Sequence, residues 1–136
     1  MSASAIETAI HEAPFDIDAL VQRYRSAGLA VDLTLSTTCQ TLPATTELAL
    51  YRVLQETLTN AARHGGGAAA VELGTSEIGL NLRVENLLGR QPVRSSRGSG
   101  LVGMRECIVA AGGTIEAGVR DGRWVVSATV PAMDAA

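Results

Sequence analysis

The sequence contains no lysine, and all eleven of its basic residues are arginine. A phosphate-binding loop built around a lysine is therefore excluded. Any contact with phosphate must come from arginine, histidine, hydroxyl or backbone N–H groups. Only 3% of the residues are aromatic, so the core must be built from aliphatic side chains. The formal net charge of −3 argues against a broad nucleic-acid surface, which needs a basic footprint.

Cysteines and long apolar runs are equally scarce. Cys39 and Cys107 lie far apart without partners at metal-binding spacing, and we expect two free thiols in a reducing cytoplasm. No apolar run approaches the roughly 18 residues of a membrane-spanning helix. Residues 1–14 lack the pattern of a secretory signal. We therefore expect a cytoplasmic protein without direct membrane contact.

The length and composition indicate one globular domain. A chain of 136 residues, 46% hydrophobic and 18% charged, is long enough for one core and too apolar to be disordered. We expect a loose lead-in over residues 1–15, the domain over 16–131 and a tail over 132–136.

Hydrophobic periodicity predicts helices and strands in a mixed order. Asp16 is the predicted cap of the first helix, which Gly28 ends, and Val31, Leu33 and Leu35 are the predicted buried side of the first strand. Helices are predicted over 16–27, 44–64 and 101–111, strands over 30–35, 69–73, 80–85, 114–119 and 124–130, and a loop over 86–98. This order predicts a two-layer α/β sandwich with a mixed sheet and helices on one face.

The long predicted helix carries a polar stripe that suggests a ligand site. At about 100° per residue, one stripe comprises Arg52, Glu56, Thr59, Asn60 and Arg63, and the opposite one comprises Val53, Leu54, Thr57, Leu58 and Ala61. Asparagine is a poor helix former, and its neutral oxygen suits Mg²⁺. Glu56 is placed to orient a water or accept a proton, and Arg63 and His64 to meet phosphate. The alternative is an ordinary charged surface stripe.

A glycine-rich segment precedes the next predicted helix. Residues 98–103 match G-x-G-x-x-G, in which small residues let a backbone approach phosphate at a helix N-terminus. A dinucleotide fold is excluded because no strand directly precedes the motif, and a protein-kinase glycine loop is excluded because no lysine follows it. The alternative is a flexible turn before a helix.

Asn86 follows the fifth predicted element, the strand over 80–85. Its side chain has both a donor and an acceptor, so it can bind the edge of a base. The alternative is an asparagine that simply forms a turn.

These three features, in this order and spacing, resemble the ATP-binding domain of sensor histidine kinases. That domain belongs to a superfamily shared with gyrase, the heat-shock chaperone and mismatch-repair ATPases, and the resemblance is to kinases of the nitrate-sensor and thermosensor type. Residues 50–64 are similar to the family's N box, and residues 98–105 to the second glycine box at the end of its ATP lid. The resemblance covers about residues 16–131.

The resemblance implies ATP and Mg²⁺ as cofactors and a role for each matched residue. Asn60 would bind Mg²⁺, and Glu56 would hold or activate a water. Asn86 would stand at the position of the family's adenine-binding aspartate. Arg63 and His64 would neighbour the phosphates, and the glycine box would contact the nucleotide through Gly98, Ser99, Gly100, Leu101, Gly103 and Met104.

The resemblance also implies partners. The γ-phosphoryl group would pass to a histidine on a phosphoacceptor domain of the same or a partner kinase, and a response regulator would act downstream. No nucleic acid is expected, and kinases of this family are often membrane-bound.

The sequence departs from the family at the adenine end. The family's first glycine box is Asp-x-Gly-x-Gly, where this sequence has Asn86 in place of the aspartate and Leu88 in place of a glycine. This departure favours one alternative, an interaction module that kept the fold and lost the nucleotide. A second alternative, on the same fold, is a stand-alone serine kinase of the anti-sigma-factor type. His11 does not resemble a phosphoacceptor histidine.

Overall fold

Local sequence signals set the ends of the first helix. The carboxylate of Asp16 accepts a hydrogen bond from the backbone N–H of Ala19 at 3.2 Å, so the predicted cap is confirmed. Gly28 follows the helix with a φ of 105°, a conformation that favours glycine.

The computed structural model describes residues 16–36, 42–76, 79–88 and 98–131. In chain order its elements are α1 (Ile17–Ser26), β1 (Ala30–Ser36), α2 (Ala44–His64), β2 (Gly65–Ser76), β3 (Gly79–Leu88), α3 (Gly98–Ala110), β4 (Thr114–Arg120) and β5 (Arg123–Val130).

The five strands form one mixed sheet in the order β1-β2-β3-β5-β4. β1 and β2 are parallel, because α2 carries the chain from the end of one to the start of the other. The pairs β2–β3, β3–β5 and β4–β5 are antiparallel. Among the described strands, β1 and β4 therefore form the two edges of the sheet.

Alternate side chains of every strand point toward the helices. All three helices contribute to one aliphatic core with that face of the sheet. Its most deeply buried members include Ile17, Leu20, Leu50, Leu54, Leu58, Leu73, Leu80, Leu82 and Ile108. The predicted two-layer sandwich with helices on one face is confirmed.

Two strands are longer than the sequence predicts. β2 begins at Gly65, directly after α2, and β3 continues to Leu88, so residues 86–88 are strand rather than loop. The reason is pairing: Asn86 lies opposite Ala69 on one side and Trp124 on the other, and Gly65 lies opposite Leu88. The register shifts between Gly65 and Ala69, which accommodates the glycines as an irregularity in the sheet. α3 likewise begins at Gly98, three residues before the predicted start at 101.

The predicted buried side of β1 is only partly correct. Val31 is 8% exposed, but Leu35, two positions further on from Leu33, is 47% exposed. β1 is an edge strand with a neighbour on one side only, so its far end receives little cover.

The β4–β5 connection is a two-residue turn. Asp121 and Gly122 have φ angles of 52° and 76°, as a type I′ hairpin turn requires. Arg120 lies directly opposite Arg123. This turn fixes which backbone groups of β4 face β5.

Several expectations fall on residues outside the described ranges. These are the lead-in over 1–15, the tail over 132–136, Cys39, and residues 89–97 of the predicted loop. Cys107 is a free, half-buried cysteine. In the described part of the chain, each helix is too short or too polar to cross a membrane.

Candidate functional site

α2 separates an apolar face from a polar one as the sequence predicts. Val53, Leu54, Thr57, Leu58 and Ala61 are all buried against the sheet or its neighbouring helices. The one hydroxyl among them is satisfied within the helix, because Thr57 Oγ1 donates to the carbonyl oxygen of Val53 at 2.8 Å. The polar residues of the other stripe are exposed or half-buried.

Asn60 carries a buried acceptor without a partner. Its Oδ1 atom is shielded from solvent and accepts no hydrogen bond from any residue that the structure describes. An unsatisfied buried polar atom costs about 1–3 kcal/mol. This oxygen is therefore a candidate for contact with a ligand.

Asn86 repeats this arrangement at the end of β3. The residue is only 4% exposed. Its Nδ2 donates to the carbonyl oxygen of Leu87 at 2.9 Å, while its Oδ1 is buried and has no partner among the described residues. A turn-forming role is excluded, because Asn86 is paired within the strand on both sides. With this hydrogen bond in place, the oxygen is the amide atom to which no described residue donates.

Gly65 lies where the last turn of α2 approaches Asn86. A Cβ at this position would lie 2.7 Å from the carbonyl oxygen of Ala61 and 2.9 Å from Nδ2 of Asn86. The last turn of α2, next to Asn60, therefore meets the end of β3 across a residue that has no side chain. Sequence patterns identified Gly65 only as a helix terminator, and its contact role depends on pairing between distant strands.

Glu56 and Gly103 lie where α2 approaches α3. Arg52 Nε is 3.8 Å from Glu56 Oε2, with the two side chains 49% and 38% exposed, so this ion pair is weak. Arg52 Nη2 also lies 3.7 Å from where a Cβ of Gly103 would stand. Glu56 is therefore loosely held and available for another partner beside the glycine box.

The remaining predicted site residues occupy the ends of the two helices. Arg63 is exposed and His64 half-buried at the last two positions of α2. Gly98, Ser99 and Gly100 form the first turn of α3, where backbone N–H groups lack intrahelical partners. Leu101 packs at the border of the core, and Met104, at 4% exposure, is part of it. The structure gives Met104 a packing role, and its contact with a nucleotide stays a prediction.

Comparison with known proteins identifies the fold. No family model matches the sequence. The sensor histidine kinase LnrJ of Bacillus subtilis is 30% identical over 92 residues, which is 67% of this chain and 23% of that protein. The histidine kinase AdeS of Acinetobacter baumannii superposes with a TM-score of 0.67 at 20% identity, over 88% of this chain and 66% of that chain. The catalytic domain of the histidine kinase ThkA gives a TM-score of 0.63 at 16% identity, covering 85% of this chain and 92% of that one.

The fold is that of a histidine kinase catalytic domain. The resemblance stated from the N box and the glycine box is confirmed. The chain spans 23% of LnrJ and 66% of the AdeS chain, so the activity of a whole sensor kinase is a proposal for it. The comparisons favour neither the serine kinase nor the interaction module.

Side-chain hydrogen bonds from α1 also hold α2 in place. The hydroxyl groups of Tyr24 and Thr59 are hydrogen-bonded at 2.6 Å, and the Tyr24 hydroxyl also lies 3.3 Å from the carbonyl oxygen of Gln55. Thr59 belongs to the polar stripe, yet it is tied to α1 rather than to the site. Because Thr59 directly precedes Asn60, this bond fixes the helix beside the unpartnered oxygen.

Replacing Tyr24 with phenylalanine is expected to lower the free energy of unfolding by about 1 kcal/mol, because the Thr59 hydroxyl loses its partner. Urea denaturation followed by circular dichroism measures the change. Thr59→Val and the double variant complete a mutant cycle, in which the double variant should lose little more than Tyr24→Phe alone. Fully additive losses would contradict a direct bond.

In the described residues, no group of three or more histidine, cysteine, aspartate or glutamate side chains is arranged to hold a metal ion.

Proposed function

We propose that this chain binds ATP with Mg²⁺ and serves as the catalytic domain of a sensor histidine kinase. The γ-phosphoryl group would pass to a histidine on a dimerisation domain of the same or a partner protein, with a response regulator downstream. The observation that carries the proposal is the pair of buried, unpartnered carbonyl oxygens of Asn60 and Asn86. Asn86 lies against Gly65 and Asn60 lies near the end of α2, and the two oxygens offer acceptors to a base and to a cation.

The phosphate end of the site would be formed by α2 and the start of α3. Asn60 Oδ1 would hold Mg²⁺, which neutralises phosphate charge when bound. Glu56, held only by a weak ion pair, would orient a water. Arg63 and His64 would face phosphate oxygens from the end of α2. The backbone N–H groups in the first turn of α3 would bind the same phosphates, as the lysine-free composition requires.

The base end would be formed by Asn86. Its fixed amide presents an acceptor, which matches the exocyclic amine of adenine, a donor. Guanine carries an oxygen at that position, so two acceptors would face each other. Asparagine in place of aspartate therefore keeps the preference for adenine while giving up the strength of a charged acceptor.

Isothermal titration with a non-hydrolysable ATP analogue tests the proposal directly. We expect binding that strengthens when Mg²⁺ is added. The absence of heat at millimolar nucleotide, with and without Mg²⁺, would overturn the proposed function. ADP serves as a comparison, because contacts at the base end predict that it binds as well.

Replacing Asn86 with leucine is expected to weaken ATP binding about tenfold and to remove most of the preference over GTP, because the acceptor proposed to contact the base is lost. Parallel titrations with ATP and GTP analogues give the ratio for each protein. The effect of Mg²⁺ should persist in this variant, since Asn60 is unchanged. An unaltered ATP-to-GTP ratio would show that Asn86 does not contact the base.

A further inference from the structure

The open edge of β4 presents a defined set of backbone groups. The two-residue turn at Asp121 and Gly122 makes Arg120 and Arg123 a hydrogen-bonded pair. Backbone N–H and C=O groups alternate in direction along a strand, so those of Gly118 and Glu116 also point toward β5. Ala117 and Val119 therefore point their N–H and C=O groups outward, where no described strand pairs with them.

The side chains of this edge form two different rows. On the face away from the helices, Glu116 and Arg120 stand on either side of Gly118, and both are exposed. No ion pair between described residues uses either of them. A groove of about 220 Å³ lies at this point, and a Cβ on Gly118 would meet nothing within 4 Å. On the helix side, Ala117 is half-buried and Val119 is 58% exposed.

The side chains of residues 116–120 are complementary to those of a second β4 that runs antiparallel to the first. If a second β4 lies antiparallel with the two Gly118 residues opposite each other, then Glu116 lies opposite Arg120 of the second copy, and Arg120 opposite its Glu116. On the other face, Ala117 lies opposite Val119 of the second copy, and Val119 opposite its Ala117. Opposite charges meet on one face and apolar groups on the other.

We propose that two copies of this chain associate edge to edge through β4, antiparallel and centred on Gly118, so that their sheets become continuous. The backbone supports this register. Ala117 and Val119 are the residues with outward N–H and C=O groups, and in this register they form hydrogen-bonded pairs between the copies.

The remaining positions also suit the register. Residues 116, 118 and 120 fall in non-hydrogen-bonded pairs, where opposed Cα atoms are only about 4.5 Å apart. That distance favours an ion pair at the two Glu116–Arg120 positions. At the centre, the short distance is occupied by two glycines, which have no side chains to collide.

Charges on an edge strand usually prevent association, because like charges repel an incoming strand. The charges of β4 do the reverse for a second copy, since each meets its opposite. This self-matching selects another copy of the chain as the partner. The interface lies on β4 and does not depend on nucleotide binding.

Analytical ultracentrifugation of the full chain tests the proposal. A monomer has a mass of 14.1 kDa, and we expect twice that mass at high concentration, with dissociation over a roughly hundredfold dilution. Added salt should weaken the dimer, because the ion pairs are close to solvent. A monomer throughout this range would overturn the proposal.

Charge reversal distinguishes this edge from any other interface. Glu116→Arg places arginine opposite arginine at both symmetric positions, and Arg120→Glu places glutamate opposite glutamate, so each variant alone should raise the dimer dissociation constant tenfold or more, about the effect of losing one good contact. An equimolar mixture should form dimers again, because every pair between the two variants is then opposite in charge.

The mixture also controls for folding, since a misfolded variant would not recover. Glu72→Arg, on the same sheet face but on the interior strand β2, and Arg23→Glu, on α1, should leave the dimer unchanged. If either β4 variant alone keeps the dimer mass, or if the mixture stays monomeric, the proposed pairing is wrong.

Discussion

Replacing Asn60 with alanine is expected to abolish the effect of Mg²⁺ on ATP affinity. The wild-type side chain holds a buried oxygen that no described residue satisfies, and alanine removes the only protein ligand proposed for the cation. Loss of a residue that holds or supports a metal costs about 10- to 100-fold in metal affinity. Titration of an ATP analogue with and without Mg²⁺ measures this loss. Electron paramagnetic resonance with Mn²⁺ in place of Mg²⁺ measures metal binding directly.

Asn81→Ala is the matched control, because it makes the same chemical change on the opposite face of the sheet. Asn81 Nδ2 donates to Thr129 Oγ1 at 2.8 Å, away from the helices and the site. This variant should lose about 1 kcal/mol of stability and keep the full effect of Mg²⁺. If Asn60→Ala also keeps that effect, the oxygen of Asn60 is not a metal ligand.

Replacing Gly65 with alanine is expected to damage both the fold and the site. The new Cβ would stand 2.7 Å from the carbonyl oxygen of Ala61 and 2.9 Å from Nδ2 of Asn86, so α2, β3 or both must shift. Overpacking of this kind costs about 1–3 kcal/mol. Because Asn86 is one of the groups displaced, ATP affinity should fall together with the free energy of unfolding.

Gly118→Ala provides the comparison for this change. Nothing lies within 4 Å of a Cβ there within one chain, so alanine should change the free energy of unfolding of the monomer by less than about 1 kcal/mol and stabilise the strand if anything. Urea denaturation and ATP titration of both variants give the two quantities side by side. Equal effects of the two substitutions would show that the close contacts at Gly65 relax without cost.

The helix that carries the site could be predicted from the sequence because its signals are local. The apolar stripe of α2 repeats with helical period over six turns, and glycine stops it at residue 65. The same period places Glu56 and Asn60 on the polar stripe of the helix. Local capping at Asp16 and the turn at Asp121 and Gly122 were predictable for the same reason.

The base end of the site could not be placed in this way, because it depends on pairing between distant residues. Glycine is rare in strands, so residues 65–67 favour a break. Gly65 nevertheless belongs to β2 because it pairs with Leu88 of β3. Asn86 likewise has the propensity of a turn residue, and it is in a strand because Ala69 and Trp124 pair with it. The Tyr24–Thr59 bond joins residues 35 positions apart, a separation at which no periodic pattern operates.

The direct passage from α2 to β2 has a consequence for how this domain tolerates changes in length. His64 is the last helical residue and Gly65 the first of the strand, so no loop separates them. One inserted residue within the last turn of α2 would rotate the preceding helix by about 100°, and one within the start of β2 would exchange the two faces of the strand. The phase of the helix and the parity of the strand are therefore locked together, so this junction will accept substitutions far more readily than insertions or deletions.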